Sequence, residues 1–152
     1  MRISTKFPIA VHSLIMIAAL SDKKKITSEV ISESTGVNAV IIRNIFKSLK
    51  QANMISVSPG PGGTTLARNP DSITLWDILT AVELMETDDV FKFHQRVREN
   101  CPIGGNIYVL LKTHLDSSVD ALKNELSSVT LSMIVNELYN LMPDLPPMPK
   151  QD

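Results

Sequence analysis

Gly36-Val37-Asn38, a helix-patterned run from Ala39 to Ala52, and then Ser58-Pro59-Gly60-Pro61-Gly62-Gly63-Thr64-Thr65-Leu66-Ala67-Arg68 decide the reading of this 152-residue chain. Gly36 suits the left-handed conformation that closes a helix, and Asn38 suits the cap that opens the next one. Between them, Ile41, Ile45, Phe46 and Leu49 form an apolar stripe expected to face a core. Arg43, Lys47 and Lys50, spaced by four and three, are expected along the exposed face. Asn53 tolerates a left-handed backbone and ends the helix. Met54 to Ser58 alternates apolar and polar residues like a half-buried strand, Pro59 to Gly63 must turn, and Thr64 to Arg68 returns. A cationic helix followed at once by a Pro/Gly hairpin is the winged helix-turn-helix pattern, with one rod for the DNA major groove and one loop for the flanking groove or backbone.

On the amino-terminal side, Ser4 or Thr5 is expected to cap a first helix whose Phe7, Ala10, Val11, Leu14, Ile17 and Ala18 recur at helical spacing. Its nearly all-round apolar character predicts burial on more than one side. Thr27 or Ser28 caps a short helix through Ser34, with Glu29 in its first turn. On the carboxyl side, Thr74 with Asp77 resembles a capping box opening a helix to about Met85. Residues 86–104 carry no clear period. A long helix is expected from Asn106 to about Leu126, with Ile107, Leu111, Leu115, Val119, Leu122 and Leu126 as a stripe longer than one small core covers. That excess predicts a two-fold dimer interface. Thr130 caps a last helix to Leu141. The expected organisation is a DNA-binding head over 1–85, linker and dimerisation helices over 86–142, and a Pro-rich tail over 143–152. The fold class is mainly α with a small β-hairpin wing, a winged helix-turn-helix plus a long dimerisation helix.

Charge divides the chain at the same place. The overall net charge of −1 conceals nine Lys/Arg against three Asp/Glu in residues 1–68, a net of +6, and six against thirteen in residues 69–152, a net of −7. A basic half beside an acidic half suggests that only the first meets a polyanion. The apolar run Ile9–Leu20 is interrupted by His12 and Ser13 and is too short to span a membrane. It also lacks a small-residue cleavage site, so a signal peptide is not expected. A soluble cytoplasmic protein is the simplest reading.

Asn38, Val40, Arg43 and Asn44 open the third helix on its outer side, where a major-groove helix presents its base-reading residues. Arg43 suits a bidentate contact to guanine, Asn38 or Asn44 suits adenine or a phosphate, and Lys47 suits the backbone. Arg2, Lys6 and Ser28 are secondary phosphate candidates. Gly62 and Gly63, free of Cβ atoms, suit close approach of the hairpin to a sugar-phosphate backbone. An NTPase phosphate loop would need a following Lys-Ser/Thr and a helix, and neither is present. No Ser/His/Asp, paired-carboxylate or metal-ligand spacing converges, so no enzyme activity is expected.

These residues resemble the Rrf-two (Rrf2) family of bacterial winged-helix regulators, which includes iron–sulfur, nitric-oxide and cysteine-metabolism sensors. The similarity begins at Met1-Arg2-Ile3-Ser4-Thr5-Lys6 and takes in the turn at Gly36. It continues through Gly60-Pro61-Gly62-Gly63, Leu66-Ala67, Ile73-Thr74-Leu75, Ile78 and Ala81-Val82-Glu83, and more weakly through Cys101-Pro102-Ile103-Gly104. The resemblance implies a homodimeric repressor on a palindromic double-stranded DNA operator, with crossed long helices and no membrane partner. Several relatives carry an arginine just before the wing glycines and an aromatic after them, where this chain has Pro59 and Thr64. Cluster-binding relatives present three cysteines between the fourth helix and the long helix, where this chain has only Cys101. One thiolate cannot anchor a cluster in the usual four-ligand way. Some relatives add a carboxylate from the first helix, but the first acidic residue here is Asp22, and a dimer would offer only two cysteines plus His94 or His114. No cofactor or metal is expected, and His12 reads as a packed residue. Cys101, near the start of the long helix with Arg96 and Arg98 close in sequence, is either a redox-sensing thiol that answers oxidants or electrophiles, or an inert buried one. Two alternatives remain at the level of sequence: an iron–sulfur-dependent regulator of the same fold, and a winged-helix protein–protein module that binds no DNA.

Overall fold

The computed structural model describes residues 3–83, 90–91 and 101–145. Arg2, His94, Arg96, Arg98, most of the 86–104 stretch and most of the Pro-rich tail lie outside the described residues. The element order is α1 (Lys6–Leu20), α2 (Ser28–Thr35), α3 (Ala39–Gln51), β1 (Ile55–Ser58), β2 (Gly63–Leu66), α4 (Leu75–Val82), α5 (Ile107–Ser128) and α6 (Leu131–Leu141). Fold class and element order agree with the sequence. Among the described residues the regular structure is helical apart from one antiparallel hairpin, in which Ile55 pairs with Leu66 and Ser58 with Gly63.

Capping chemistry sets these boundaries. Thr27 Oγ1 accepts from Val30 N at 3.3 Å, which starts α2, and Gly36 at φ +69° closes it. Asn38 Oδ1 accepts from Val40 N at 2.8 Å and starts α3. Asn53, at φ 55°, turns the chain from α3 into β1. Thr74 and Asp77 complete a reciprocal capping box at 3.0 and 3.1 Å, and Thr130 opens α6. Each cap satisfies amide donors that a helix start leaves unpaired.

The core is built around α1. Ala10, Leu14, Ile17 and Ala18 pack with Ile26, Ile31, Ile42, Ile45, Leu49, Ile73, Ile78, Leu131 and Val135, so α1 is covered on several sides, as its composition predicted. Its amino-terminal end is fastened to the end of α4, where the Ser4 amide and hydroxyl both donate to Glu83 Oε1. His12 Nε2 meets Ser34 Oγ at 3.0 Å and joins α1 to α2.

Three expectations change. Ile42, not Ile41, completes the buried stripe of α3, because Ile42 lies one turn before Phe46 and two turns before Leu49. Ile41 is exposed. In β1 the amino-terminal end carries the burial: Met54 and Ile55 are buried, while Val57 is exposed beside α3. Finally, the apolar stripe of α5 is not wholly unpartnered. α5 lies against α4, Val119 is buried, and Leu115, Leu122 and Leu126 are partly covered. The exposed apolar surface sits instead in its first turns, where Val109 is 69% and Leu110 is 60% exposed, beside Tyr108 and Leu111. α6 returns to the head and contributes Leu131 and Val135 to its core.

Candidate nucleic-acid interface

With Ile42, Ile45, Phe46 and Leu49 turned inward, the outermost ridge of α3 consists of Val40, Asn44, Lys47 and Gln51, spaced by four, three and four, and each is exposed. Arg43 and Lys50 occupy the flank toward the hairpin. They line a cavity of ≈ 490 Å³ together with Lys25, Lys47, Thr27, Ser28, Val57, Gly60, Gly63 and Thr64. Ile41 and Ser48 occupy the other flank. With Thr5, Lys6 and Asn44 they line a second cleft of ≈ 460 Å³ between α1 and α3. The structure therefore brings Lys6, Val40, Arg43, Asn44 and Lys47 around one helix, on both sides of a single ridge. Asn38 caps that helix through its side-chain oxygen. Ser28 is buried at the start of α2, with its residue on the wall of the cationic cavity.

Two residues outside the candidates read from the sequence shape this surface. Glu29, in the first turn of α2, accepts from Arg43 Nη2 at 2.5 Å. Its carboxyl is held at about 2, well below the ordinary 4.5, by the backbone amide hydrogen bond at the start of α2, then by Arg43, then by the Ser28 and Thr27 hydroxyls. A depressed folded-state value means that the carboxylate stabilises the fold above about pH 4.5 and loses that contribution as pH falls toward 2. Glu29 therefore stays charged throughout the neutral range. The second residue is Lys25, whose ammonium donates to the Gly60 carbonyl and ties the hairpin tip to the α1–α2 turn. No local signal in the Lys23-Lys24-Lys25 run marks this role, because the contact to Gly60 spans 35 residues.

The wing glycines divide their roles. Gly62 is exposed at the tip, where an added Cβ would lie 2.5 Å from Ser58 Cβ. Gly63 begins β2 and is buried rather than exposed at the tip. Its φ is +71°, an added Cβ would meet Lys25 Cγ at 2.8 Å and the Ile26 backbone at 3.3 Å, and Thr64 N donates to Ile26 O at 2.9 Å. Gly63 seats the hairpin on the head, on the wall of the cationic cavity. Gly63→Ala is expected to destabilise the fold by about 1–3 kcal/mol through strain and displacement of Ile26. Gly60→Ala, with φ +76° but open space around it, is expected to cost less. Thermal unfolding of the two variants checks the order.

Cys101 is exposed, and Gly104 N lies 3.4 Å from its sulfur, in the turn that precedes α5. Among the described residues, no helix is long and apolar enough to cross a membrane.

Residues 3–137 match the Rrf2 family, described as iron-dependent transcriptional regulators. The chain is 31% identical over 137 residues to YwnA of Bacillus subtilis, whose name places it among HTH-type transcriptional regulators. The alignment covers 90% of this chain and 99% of YwnA. It is 27% identical over 137 residues to the HTH-type transcriptional regulator IscR of Sodalis glossinidius, covering 90% and 79% of the two chains. In three dimensions it is similar to CymR, the global cysteine regulator of B. subtilis, with a TM-score of 0.69 at 20% identity over 90% of this chain and 97% of that one. The iron in the family description does not suit the residues present. A cluster needs about four ligands, the whole chain has one cysteine, α1 contains no carboxylate, and among the described residues no three His, Cys, Asp or Glu gather into a metal-binding group.

Proposed function

The chain belongs to the Rrf2 family of helix-turn-helix transcriptional regulators, and from that premise we propose that it represses transcription as a homodimer on a palindromic operator. The observation that carries this reading is the arrangement around α3. An exposed ridge of Val40, Asn44 and Lys47 is flanked by Arg43, Lys50 and Lys25, with the hairpin fastened beside it. In this reading Val40 and Asn44 face base edges, while Lys47, Lys50, Lys25 and Lys6 neutralise phosphates. Arg43 reaches guanine or phosphate only by leaving or sharing Glu29. Gly62 supports close approach of the wing tip. The exposed first turns of α5 supply the apolar surface of the dimer, which sets the two recognition helices at a fixed spacing.

The test is selection of binding sites from random duplex DNA under reducing conditions. Enrichment of an inverted repeat, with half-site centres about 10 bp apart or a multiple of that, supports the reading. Failure to retain any duplex at low ionic strength overturns it.

Cys101 is the proposed signal input. Its exposure leaves the sulfur open to oxidants in the turn that precedes α5, where the Gly104 amide donates to it. Oxidation to a sulfenic acid places a polar group in that turn. Peroxide or quinone treatment is expected to weaken operator binding by the unmodified chain and to leave Cys101→Ser unaffected. Equal loss in both proteins removes Cys101 from the mechanism.

A further inference from the structure

We infer that the first turn of α3 reads the 5-methyl group of thymine through Val40, making the half-site dependent on a methylated pyrimidine at one position. This rests on the DNA-binding reading above and specifies what the helix recognises.

Val40 is 57% exposed and its neighbour Ile41 is 44% exposed. Elsewhere in α1 to α4 the large aliphatic side chains are buried or packed against the core, so two exposed branched residues side by side are a departure. They lie at the start of the helix whose remaining outer positions are Arg43, Asn44, Lys47, Lys50 and Gln51. The setting is a cationic surface with an apolar point. Such a surface fits a polyanion that offers one apolar group among polar ones. The floor of the major groove has that character, because thymine's methyl is the apolar group among donors and acceptors there. A protein partner built from apolar side chains would instead meet Lys6 on one flank of so small a patch and Arg43 and Lys47 on the other.

Val40 is held for this contact before any ligand arrives. The Asn38 cap fixes its amide at 2.8 Å, and a β-branched side chain in a helix has essentially one χ1 rotamer. Its two methyl groups therefore lose little freedom on docking. Asn44, one turn further along the same ridge, places an amide beside the contact, suited to an adenine edge in the adjoining pair. Ile41 carries the apolar edge toward the cleft that holds Lys6.

The experiment uses the full chain and the duplex recovered by binding-site selection. Each thymine of one half-site is replaced singly by deoxyuridine, which removes the methyl and leaves every hydrogen-bonding group in place. Affinity is expected to fall about fourfold at one position, the equivalent of one buried carbon, and a 5-methylcytosine·guanine pair at that position is expected to bind more tightly than the unmethylated cytosine·guanine pair. Val40→Ala is expected to bind the thymine and deoxyuridine duplexes equally, with its helical circular dichroism unchanged because the side chain is exposed. Deoxyuridine tolerated at every position overturns the inference while leaving DNA binding intact, as does discrimination that persists in Val40→Ala. No duplex bound by the unmodified chain would sink the DNA-binding reading itself.

Discussion

Replacing Arg43 and Lys47 together by alanine is expected to weaken operator binding by at least about 100-fold, since each charged hydrogen bond contributes about 1.5–3 kcal/mol. The dependence of affinity on salt is expected to become shallower by about 0.9 in log–log slope for each phosphate contact removed. Both side chains are exposed on α3, so thermal unfolding should move little. The two single variants are expected to differ in kind. Lys47→Ala removes a cation alone. Arg43→Ala also strips Glu29 of its partner and leaves an unpaired carboxylate beside the proposed DNA-binding surface. Glu29→Gln added to Arg43→Ala should therefore recover part of the lost affinity, and Glu29→Gln alone should strengthen binding to random-sequence duplex. A double-mutant cycle measured by salt titration checks the coupling. Additive effects at Arg43 and Glu29 would show that the ion pair has no bearing on DNA.

Leu131→Ala is expected to destabilise the chain by about 2–5 kcal/mol, the usual range for a large-to-small change at a closed site. Leu131 is fully buried. It sits where the chain passes from α5 to α6, at a short antiparallel bridge between Thr74 and Thr130. Leu131 N donates to Ile73 O at 2.7 Å, and Leu75 N donates to Val129 O at 2.9 Å. The same side chain thus supports the core and the joint that sets the direction of α5. For a domain of this size each kcal/mol lowers the unfolding midpoint by about 2–4 °C. Leu141→Ala, at an exposed position of the same helix, should stay within about 0.5 kcal/mol of the unmodified chain. Thermal unfolding followed by circular dichroism separates the two.

Much of the fold was legible because its signals are local. Caps at Thr27, Asn38, Thr74 and Thr130, left-handed residues at Gly36 and Asn53, and the Pro/Gly hairpin each act within about four residues, so spacing alone reports them. The candidate surface was legible in composition but not in aim. Arg43, Asn44, Lys47 and Val40 were identified, yet the sequence did not show that Asn44 and Lys47 form the crest while Arg43 leans toward α2. The exchange of Ile41 for Ile42 is one step along the helix, a rotation of about 100°. Apolar character alone cannot choose between two adjacent isoleucines.

What the sequence determined by itself was the kind of molecule: helices with their ends, a wing, and a basic amino-terminal half beside an acidic remainder. Tertiary structure alone decided which groups meet. Glu29 finds Arg43 across 14 residues, Lys25 finds Gly60 across 35, and Ser4 finds Glu83 across 79. Gly63 proves to be a seat for the hairpin, and the stripe of α5 is partly covered by its own chain. Capping and periodicity are short-range and therefore written in neighbouring residues. Ion pairs, close backbone approach and burial depend on how separate helices are docked, which no local window of residues contains.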